Sequence, residues 1–292
     1  DRVKGELRIG ALRSAQHQCM MAPLQALLWD VDGTLADTEQ EGHRPAFNGA
    51  FAEAGLPWHW DRPTYQRLLA VTGGRERIRA WLGEQQSWPA AAGDDPSSWD
   101  PTGWIENLQL RKQAHYRQRL AQGPLPLRPG VERLLLEAQA AGLRQALVTT
   151  SGRSAVQALL QPYPRLQSCF ELWICGEDVG AKKPHPEGYE RALTTLGISA
   201  GSAIAIEDSA QGLAAARGAG LAVVISGWAA GENSLTGDGS LAGAALVVDH
   251  LDAGYGGPVT VACLRALLPW RPSDDKAAPA INPFQWPAAI DR

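Results

Sequence analysis

The chain has 292 residues, of which 45% are hydrophobic and 20% charged, and a formal net charge of -4. This balance gives no general electrostatic reason to bind nucleic acid or an anionic membrane, and it leaves room for one large core and a subsidiary domain. The four cysteines, Cys19, Cys169, Cys175 and Cys263, lack C-x-x-C spacing, so they signal neither a disulfide framework nor a zinc site and read as small buried hydrophobes in a reducing compartment.

Residues 1–21 carry Arg2, Lys4, Arg8 and Arg13 beside Asp1 and Glu6, with no apolar stretch of a secretory signal, and read as a disordered N-terminal extension. The apolar run Leu24–Trp29 reads as a buried strand, and the acidic turn Asp30-Val31-Asp32-Gly33-Thr34-Leu35 follows it directly. Phe47, Ala50, Phe51 and Ala54 then recur at helical spacing, with Gly55 placed to end that helix. Helical character continues through Leu108–Leu120, interrupted by a Ser-, Pro- and Asp-rich loop over Gln85–Gly103. Trp58, Trp60, Trp81, Trp88, Trp99 and Trp104 cluster in this stretch and read as packing.

Pro124, Pro126 and Pro129 mark a change of pattern. Helix Gly130–Ala141 leads into strand Gln145–Val148, and another helix starts at Arg153. Strands recur at Leu172–Ile174, Ala203–Ile206 and Leu221–Ile225, with helices Pro186–Leu196 and Ser209–Arg217 between them. Gly212–Gly231 is low in charge, but its glycines divide it into helix, turn and strand, so no transmembrane helix is read. Strands alternating with helices imply an α/β fold, a doubly wound parallel sheet. Residues 22–37 and 124–250 form its core domain, 38–123 an inserted helical cap, and 251–292 a C-terminal helix at Pro258–Leu268 with a loosely packed tail.

Two carboxylates at the carboxyl end of a parallel strand lie where ligand sites collect. They strain each other's ionisation, so their roles must separate: one stays an anion and attacks, the other carries a proton. A solvated loop or a calcium loop is the competing reading. The calcium loop fails because Gly33 falls at the fourth position from Asp30 and Leu35 at the sixth, where the turn needs its glycine.

Three further signals sit at strand ends. Val148-Thr149-Thr150-Ser151-Gly152 opens a helix with hydroxyls that suit phosphate oxygens, although helix capping alone explains such residues. Ala181-Lys182-Lys183-Pro184-His185-Pro186 offers a lysine to neutralise a nucleophilic Asp and a moving phosphoryl group; a solvated lysine pair is the alternative, and Pro184 singles out Lys183. Glu207-Asp208-Ser209 adds a second acidic pair of the hard oxygen type that suits Mg²⁺, where capping by Asp208 or Ser209 accounts for one acid only. Jointly these four segments specify a magnesium-dependent phosphoryl-transfer site.

The D-x-D-G-T-L turn resembles the first motif of the haloacid-dehalogenase-like phosphotransferases. Within them, Asp37 to Asn48, Trp58-His59-Trp60-Asp61 and Thr72-Gly73-Gly74-Arg75-Glu76-Arg77-Ile78 resemble the CbbY family, over residues 24 to 250 in all. The resemblance implies that Asp30 attacks phosphorus to form an aspartyl-phosphate, that Asp32 is the general acid and base, and that Thr149, Thr150 and Lys183 hold the phosphoryl oxygens. Mg²⁺ would be bound by Asp30, the Asp32 carbonyl, Asp208 and Glu207. It implies as substrate a small sugar bisphosphate, xylulose 1,5-bisphosphate, whose hydrolysis removes an inhibitor of Rubisco. A bisphosphate needs a second anion site, for which Arg75 is suited; Glu39, His43 and Arg44 are candidates for the sugar hydroxyls or distal phosphate. Alternatives are a β-phosphoglucomutase or another sugar-phosphate phosphatase, and a non-catalytic sensor, which would predict loss of catalytic residues that are all present. The expected protein is a monomer that binds neither nucleic acid nor membrane. It is cytoplasmic, or stromal if the source is a plant or alga.

Overall fold

The computed structural model describes residues 23–85, 100–227, 241–254 and 256–268. Its centre is a six-stranded parallel sheet in the order β3-β2-β1-β4-β5-β6. The strands are β1 (Ala26–Trp29), β2 (Arg144–Val148), β3 (Leu172–Ile174), β4 (Ala203–Glu207), β5 (Ala222–Ser226) and β6 (Leu246–Val248). The residues of β1, β4 and β5 are buried throughout, because a parallel sheet is covered on both faces. Continuous apolar runs therefore replace the alternation of a half-exposed strand. One face packs Leu27, Trp29, Leu147 and Val224 against Leu134 and Leu159. The other packs Leu28, Val148, Ala205 and Val223 against Tyr189 and Leu213. The sixth strand was not anticipated from the sequence; its three residues are too short a run to stand out.

From Glu39 to Ala121 the described residues form a π-helical turn (Glu39–His43) and four helices: α1 (Arg44–Glu53), α2 (Arg62–Leu68), α3 (Gly74–Glu84) and α4 (Thr102–Ala121). We refer to this segment as the cap. Its own core is aromatic. Phe47, Phe51, Trp58, Trp60 and Tyr65 pack with Ile78, Leu82, Ile105 and Leu108, and Trp60 lies 4.8 Å from Phe51 and 4.7 Å from Phe47 between ring centroids. Trp58, Trp60, Trp81 and Trp104 are thus packing residues, whereas Trp88, Trp99 and most of the Gln85–Gly103 loop lie outside the described residues. Helix α4 begins at Thr102, inside that expected loop.

The remaining helices alternate with the strands: α5 (Val131–Ala140), α6 (Arg153–Leu160), α7 (Pro164–Gln167), α8 (Glu187–Leu196), α9 (Ala210–Gly218) and α10 (Val261–Leu267). Residues 1–22 and 269–292, read as extension and tail, lie outside the described residues. Among the described residues, no helix is long and apolar enough to cross a membrane.

Candidate active site

Strand register brings the acidic segments together. Trp29 pairs with Leu147 of β2 and with Ile206 of β4, so the next residue, Asp30, stands level with Glu207. The Asp30 amide continues the ladder by donating to the Ile206 carbonyl at 3.0 Å. Lys183 enters from the loop after β3 and closes the group: its ammonium donates to Asp30 Oδ1 at 2.6 Å and to Glu207 Oε1 at 2.5 Å. Lys182 points to Glu76 of the cap instead, at 2.9 Å. The preference for Lys183 over its neighbour, read from Pro184, is what the geometry has.

Asp30, Glu207 and Asp208 each place a carboxylate oxygen within 4.8 Å of the others. Ser209, rather than Asp208, caps α9, accepting from the Gly212 amide at 3.1 Å. Asp208 is therefore released from backbone duty. Gly33 lets it approach: φ is +85° there, and a Cβ at that position would sit 1.9 Å from Asp208 Oδ2. The Tyr189 hydroxyl donates to Glu207 Oε1, the oxygen that also receives Lys183. Oε2 of Glu207 is buried and, among the described residues, has no hydrogen-bond partner.

The electrostatics follow from this crowding. Burial pushes the Asp30 carboxyl up to about 7, with Glu207 and Asp32 adding to the rise and Lys183 opposing it. Burial and then the charges of Asp30 and Glu207 hold Asp208 well above the usual carboxylate range. Burial alone would lower Lys183, but Asp30 and Glu207 outweigh it and raise the ammonium above its ordinary value. Three carboxylates with one lysine leave excess negative charge in a dry place, where it is poorly screened. That excess, and the orphaned Glu207 oxygen, fit a hard divalent cation held by carboxylates.

Asp32 has the opposite surroundings. It accepts from Thr38 Oγ1 at 2.5 Å, from His43 Nε2 at 2.9 Å and from the Ser151 hydroxyl. Burial raises its pKa, but His43, Ser151 and Thr38 together hold it well below the usual range. Hydrogen-bond donors converge on Asp32 and competing acids on Asp30, so the anionic form of Asp30 that attack requires is the one a bound cation would favour.

His43 is buried and both of its ring nitrogens are occupied. Lys112 of α4 donates to Nδ1 at 2.9 Å, which leaves Nε2–H for Asp32. Tyr116 stacks on the ring, 4.2 Å between centroids. His43 therefore orients Asp32 instead of offering a free nitrogen to a sugar.

The cap covers this edge. A cleft of about 470 Å³ is lined by Asp30, Asp32, Glu39, Arg77, Thr150 and Lys183, among others. A second, of about 590 Å³, adds Arg75, Lys112 and Lys182. Thr150 and Arg75 are thus placed at the cleft. Thr149 is buried, and its hydroxyl accepts from the Ser151 amide at 3.1 Å. Arg44, proposed from sequence as a substrate contact, lines neither cleft. It opens α1, where its charge acts on Asp61. Arg77, in the Thr72–Ile78 run, is a second arginine at the cleft, and Lys112, Tyr65 and Tyr189 join the site although none belongs to a strand-end motif. Lys112 had a signal: Ile105, Leu108, Lys112, Tyr116 and Leu120 form one buried helical stripe, so the lysine occupies an apolar position.

Comparison with known proteins places this geometry. Residues 24–220 match the haloacid dehalogenase-like hydrolase family. The chain is 41% identical to a protein named CbbY from Cupriavidus necator over 230 residues, covering 78% of this chain and 86% of that one. It is 42% identical to CbbY of Rhodobacter capsulatus over 204 residues, 69% of this chain and 85% of the relative. It also superposes on a mutant CbbY from Rhodobacter sphaeroides crystallised with xylulose-(1,5)bisphosphate, with TM-score 0.67 and 37% identity over 78% of this chain and 94% of the other. Strand-end acids, a buried lysine and this kinship lead to one conclusion: the chain is a phosphatase that belongs to the haloacid dehalogenase-like hydrolases and, within them, to the CbbY family.

Proposed function

We propose that this chain hydrolyses xylulose 1,5-bisphosphate to xylulose 5-phosphate and phosphate, removing an inhibitor of Rubisco. The observation that carries the reading is the meeting of Asp30, Asp32 and Lys183 at one sheet edge, facing a cap whose cleft side bears Arg75, Arg77 and Lys112. Such a cleft offers one end to a reacting phosphoryl group and the other to a second anion. The relative crystallised with xylulose-(1,5)bisphosphate supports this choice of sugar. In this reading residues 38–123 are the cap that excludes water and selects the substrate, over a core of 22–37 and 124–250.

An Asp30 oxygen attacks phosphorus, the bond from phosphorus to the sugar oxygen breaks, and the departing oxygen takes a proton from Asp32. Water then attacks the phosphorus of the aspartyl-phosphate and gives its proton to Asp32, and Asp30 leaves as a carboxylate with release of phosphate. The donors around Asp32 stabilise its carboxylate, the form that deprotonates this water. Lys183 and Thr150 neutralise and orient the phosphoryl oxygens; Thr149 supports that loop through the Ser151 amide. Asp30, Asp208, Glu207 and the Asp32 carbonyl are the groups that would hold Mg²⁺. When bound, Mg²⁺ supplies positive charge that favours the anionic form of Asp30 and balances the phosphoryl oxygens. Arg75 is assigned to the distal phosphate.

The test is Mg²⁺-dependent phosphate release from xylulose 1,5-bisphosphate beside ribulose 1,5-bisphosphate and β-glucose 1-phosphate, with Asp30→Asn as the blank. Preferential release from the xylulose ester supports the assignment. Turnover of the glucose ester alone, or no preference, refutes the substrate and leaves the chemistry of the site intact.

A further inference from the structure

The Lys183 ammonium is a point charge with three donors on a flexible four-carbon stem, so nothing in the side chain itself decides where those donors aim. Two of them go to Asp30 Oδ1 and Glu207 Oε1. Among the described residues no third acceptor meets it, and Lys183 lines the cleft. Helix α8 grips this lysine at both ends. Glu187, its first residue, accepts from the Gly180 amide at 2.9 Å and from the Ala181 amide at 2.8 Å, one with each carboxylate oxygen. Those amides belong to the loop that carries Lys183. At the other end, the ammonium lies over the Tyr189 ring, 5.2 Å from its centroid. The Tyr189 hydroxyl donates to Glu207 Oε1, the oxygen that also receives Lys183.

Neither contact is explained by stability alone. An acid in a first helical turn is ordinarily spent on the helix dipole. Glu187 instead sends both oxygens to the preceding loop, and its own amide donates to His185 Nδ1 at 3.2 Å. Tyr189 is fully buried and shares one apolar stripe with Ala192, Leu193 and Leu196. A phenylalanine would fill that space with no hydroxyl to satisfy. The hydroxyl that is present is matched to Glu207, and it fixes the carboxylate to which Lys183 is bound. Neither residue lines the two clefts, so each reaches the reaction only through its neighbours.

We propose that Glu187 and Tyr189 are positioning residues that hold Lys183 by its backbone and by its ammonium, and so present its remaining N–H to the transferring phosphoryl group. The proposal rests on the reading above, in which Lys183 neutralises the phosphoryl oxygens. Charge shifts among those oxygens as the bonds to phosphorus change. A misplaced ammonium therefore forfeits stabilisation of the transition state more than binding of the ester. The loss belongs to the phosphoryl group, so it is independent of what the phosphate is attached to.

The experiment measures kcat and KM for phosphate release by the full chain at saturating Mg²⁺, on the sugar ester that the wild type prefers and on p-nitrophenyl phosphate. Tyr189→Phe and Glu187→Gln are expected to lower kcat about tenfold to a hundredfold on both esters, with KM changed by less than about threefold. Inhibition by orthovanadate, a mimic of five-coordinate phosphorus, should weaken by a similar factor. A lower melting temperature with kcat per folded enzyme and vanadate affinity unchanged would make the residues structural and overturn the proposal. A shifted Mg²⁺ titration with kcat restored at saturation overturns it too, since Tyr189 would then act through Glu207 on the cation. Lys183→Met tests the reading beneath the proposal, and Lys183→Arg carries that arm if Lys183→Met unfolds. Full activity there removes Lys183 from phosphoryl transfer and overturns both. Loss of activity there, with wild-type rates in Tyr189→Phe and Glu187→Gln, overturns the proposal alone.

Discussion

The two sides of the cleft have opposite charge balance. On the core side Asp30, Glu207 and Asp208 face Lys183. On the cap side Glu39 faces Arg77, with Lys112 close enough for its charge to be felt. Both sides are dry, so neither excess is screened by solvent. The core side responds by protonation, with Asp30 raised to about 7. The cap side responds by losing protons, since burial lowers Lys112 to about 8. The difference teaches what each side is built to receive. A cation and an electrophilic phosphorus suit the core edge, and an anion with hydroxyl donors suits the cap.

Removing charge on the core side is expected to have the largest effect. Asp30→Asn should lower phosphate release by about 10⁴-fold or more, as nucleophile deletions do. Its Tm should not fall, because one of the crowded acids is gone. A lower Tm would show that the acids stabilise the fold, and would break the contrast drawn above. Asp208→Asn should leave the nucleophile in place but raise the Mg²⁺ concentration for half-maximal activity at least about tenfold. Titration of Mg²⁺ into chelator-treated enzyme reads this directly, and an unshifted titration would remove Asp208 from the cation site.

The cap side is sharpened by pH. Lys112 has a folded-state pKa of about 8 against an ordinary 10.5. Between those values the unfolded chain binds more protons than the folded one, so this group's contribution to stability rises as pH rises through the window. Below about pH 8 the cost of the buried ammonium is present in full. Denaturant midpoints should therefore rise for the wild type relative to Lys112→Met from pH 8 to 10.5. Parallel profiles would mean that Lys112 titrates as it does in solvent. The smallest effect is expected at the bridge between the two sides. Lys182 and Glu76 lie 2.9 Å apart with side chains 26% and 47% exposed. Glu76→Gln should change stability by only ~0–1 kcal/mol, and by less in high salt. A larger loss in unfolding experiments would identify the pair as a true clasp.

Much of this was legible in the chain because strand-end chemistry is local. Asp30, Thr150, Lys183 and Glu207 each follow or end an apolar run, and a parallel sheet brings those ends to one edge. The cap was less legible. Arg75 and Arg77 are two residues apart on α3, and both were available as cleft arginines. Only packing against Tyr65 and Leu68 separates the buried Arg77 from Arg75. Arg44 and His43 are adjacent, yet one occupies the Asp32 network and the other starts α1 on the Asp61 side. No periodicity resolves such a choice, because the π-helical turn changes the angular step between neighbours.

The sequence by itself determined the fold class and the order of the acidic, hydroxyl and lysine segments at the strand ends, since each is set by a residue and its immediate neighbours. Tertiary structure alone decided what surrounds each acid. Asp32 is kept a carboxylate by Thr38, His43 and Ser151, the last of them 119 residues away. Asp30 is raised by burial beside Glu207, across the sheet. A protonation state is the balance of desolvation, charge and hydrogen bonding at one point in space, and those contributions are assembled only when distant segments pack.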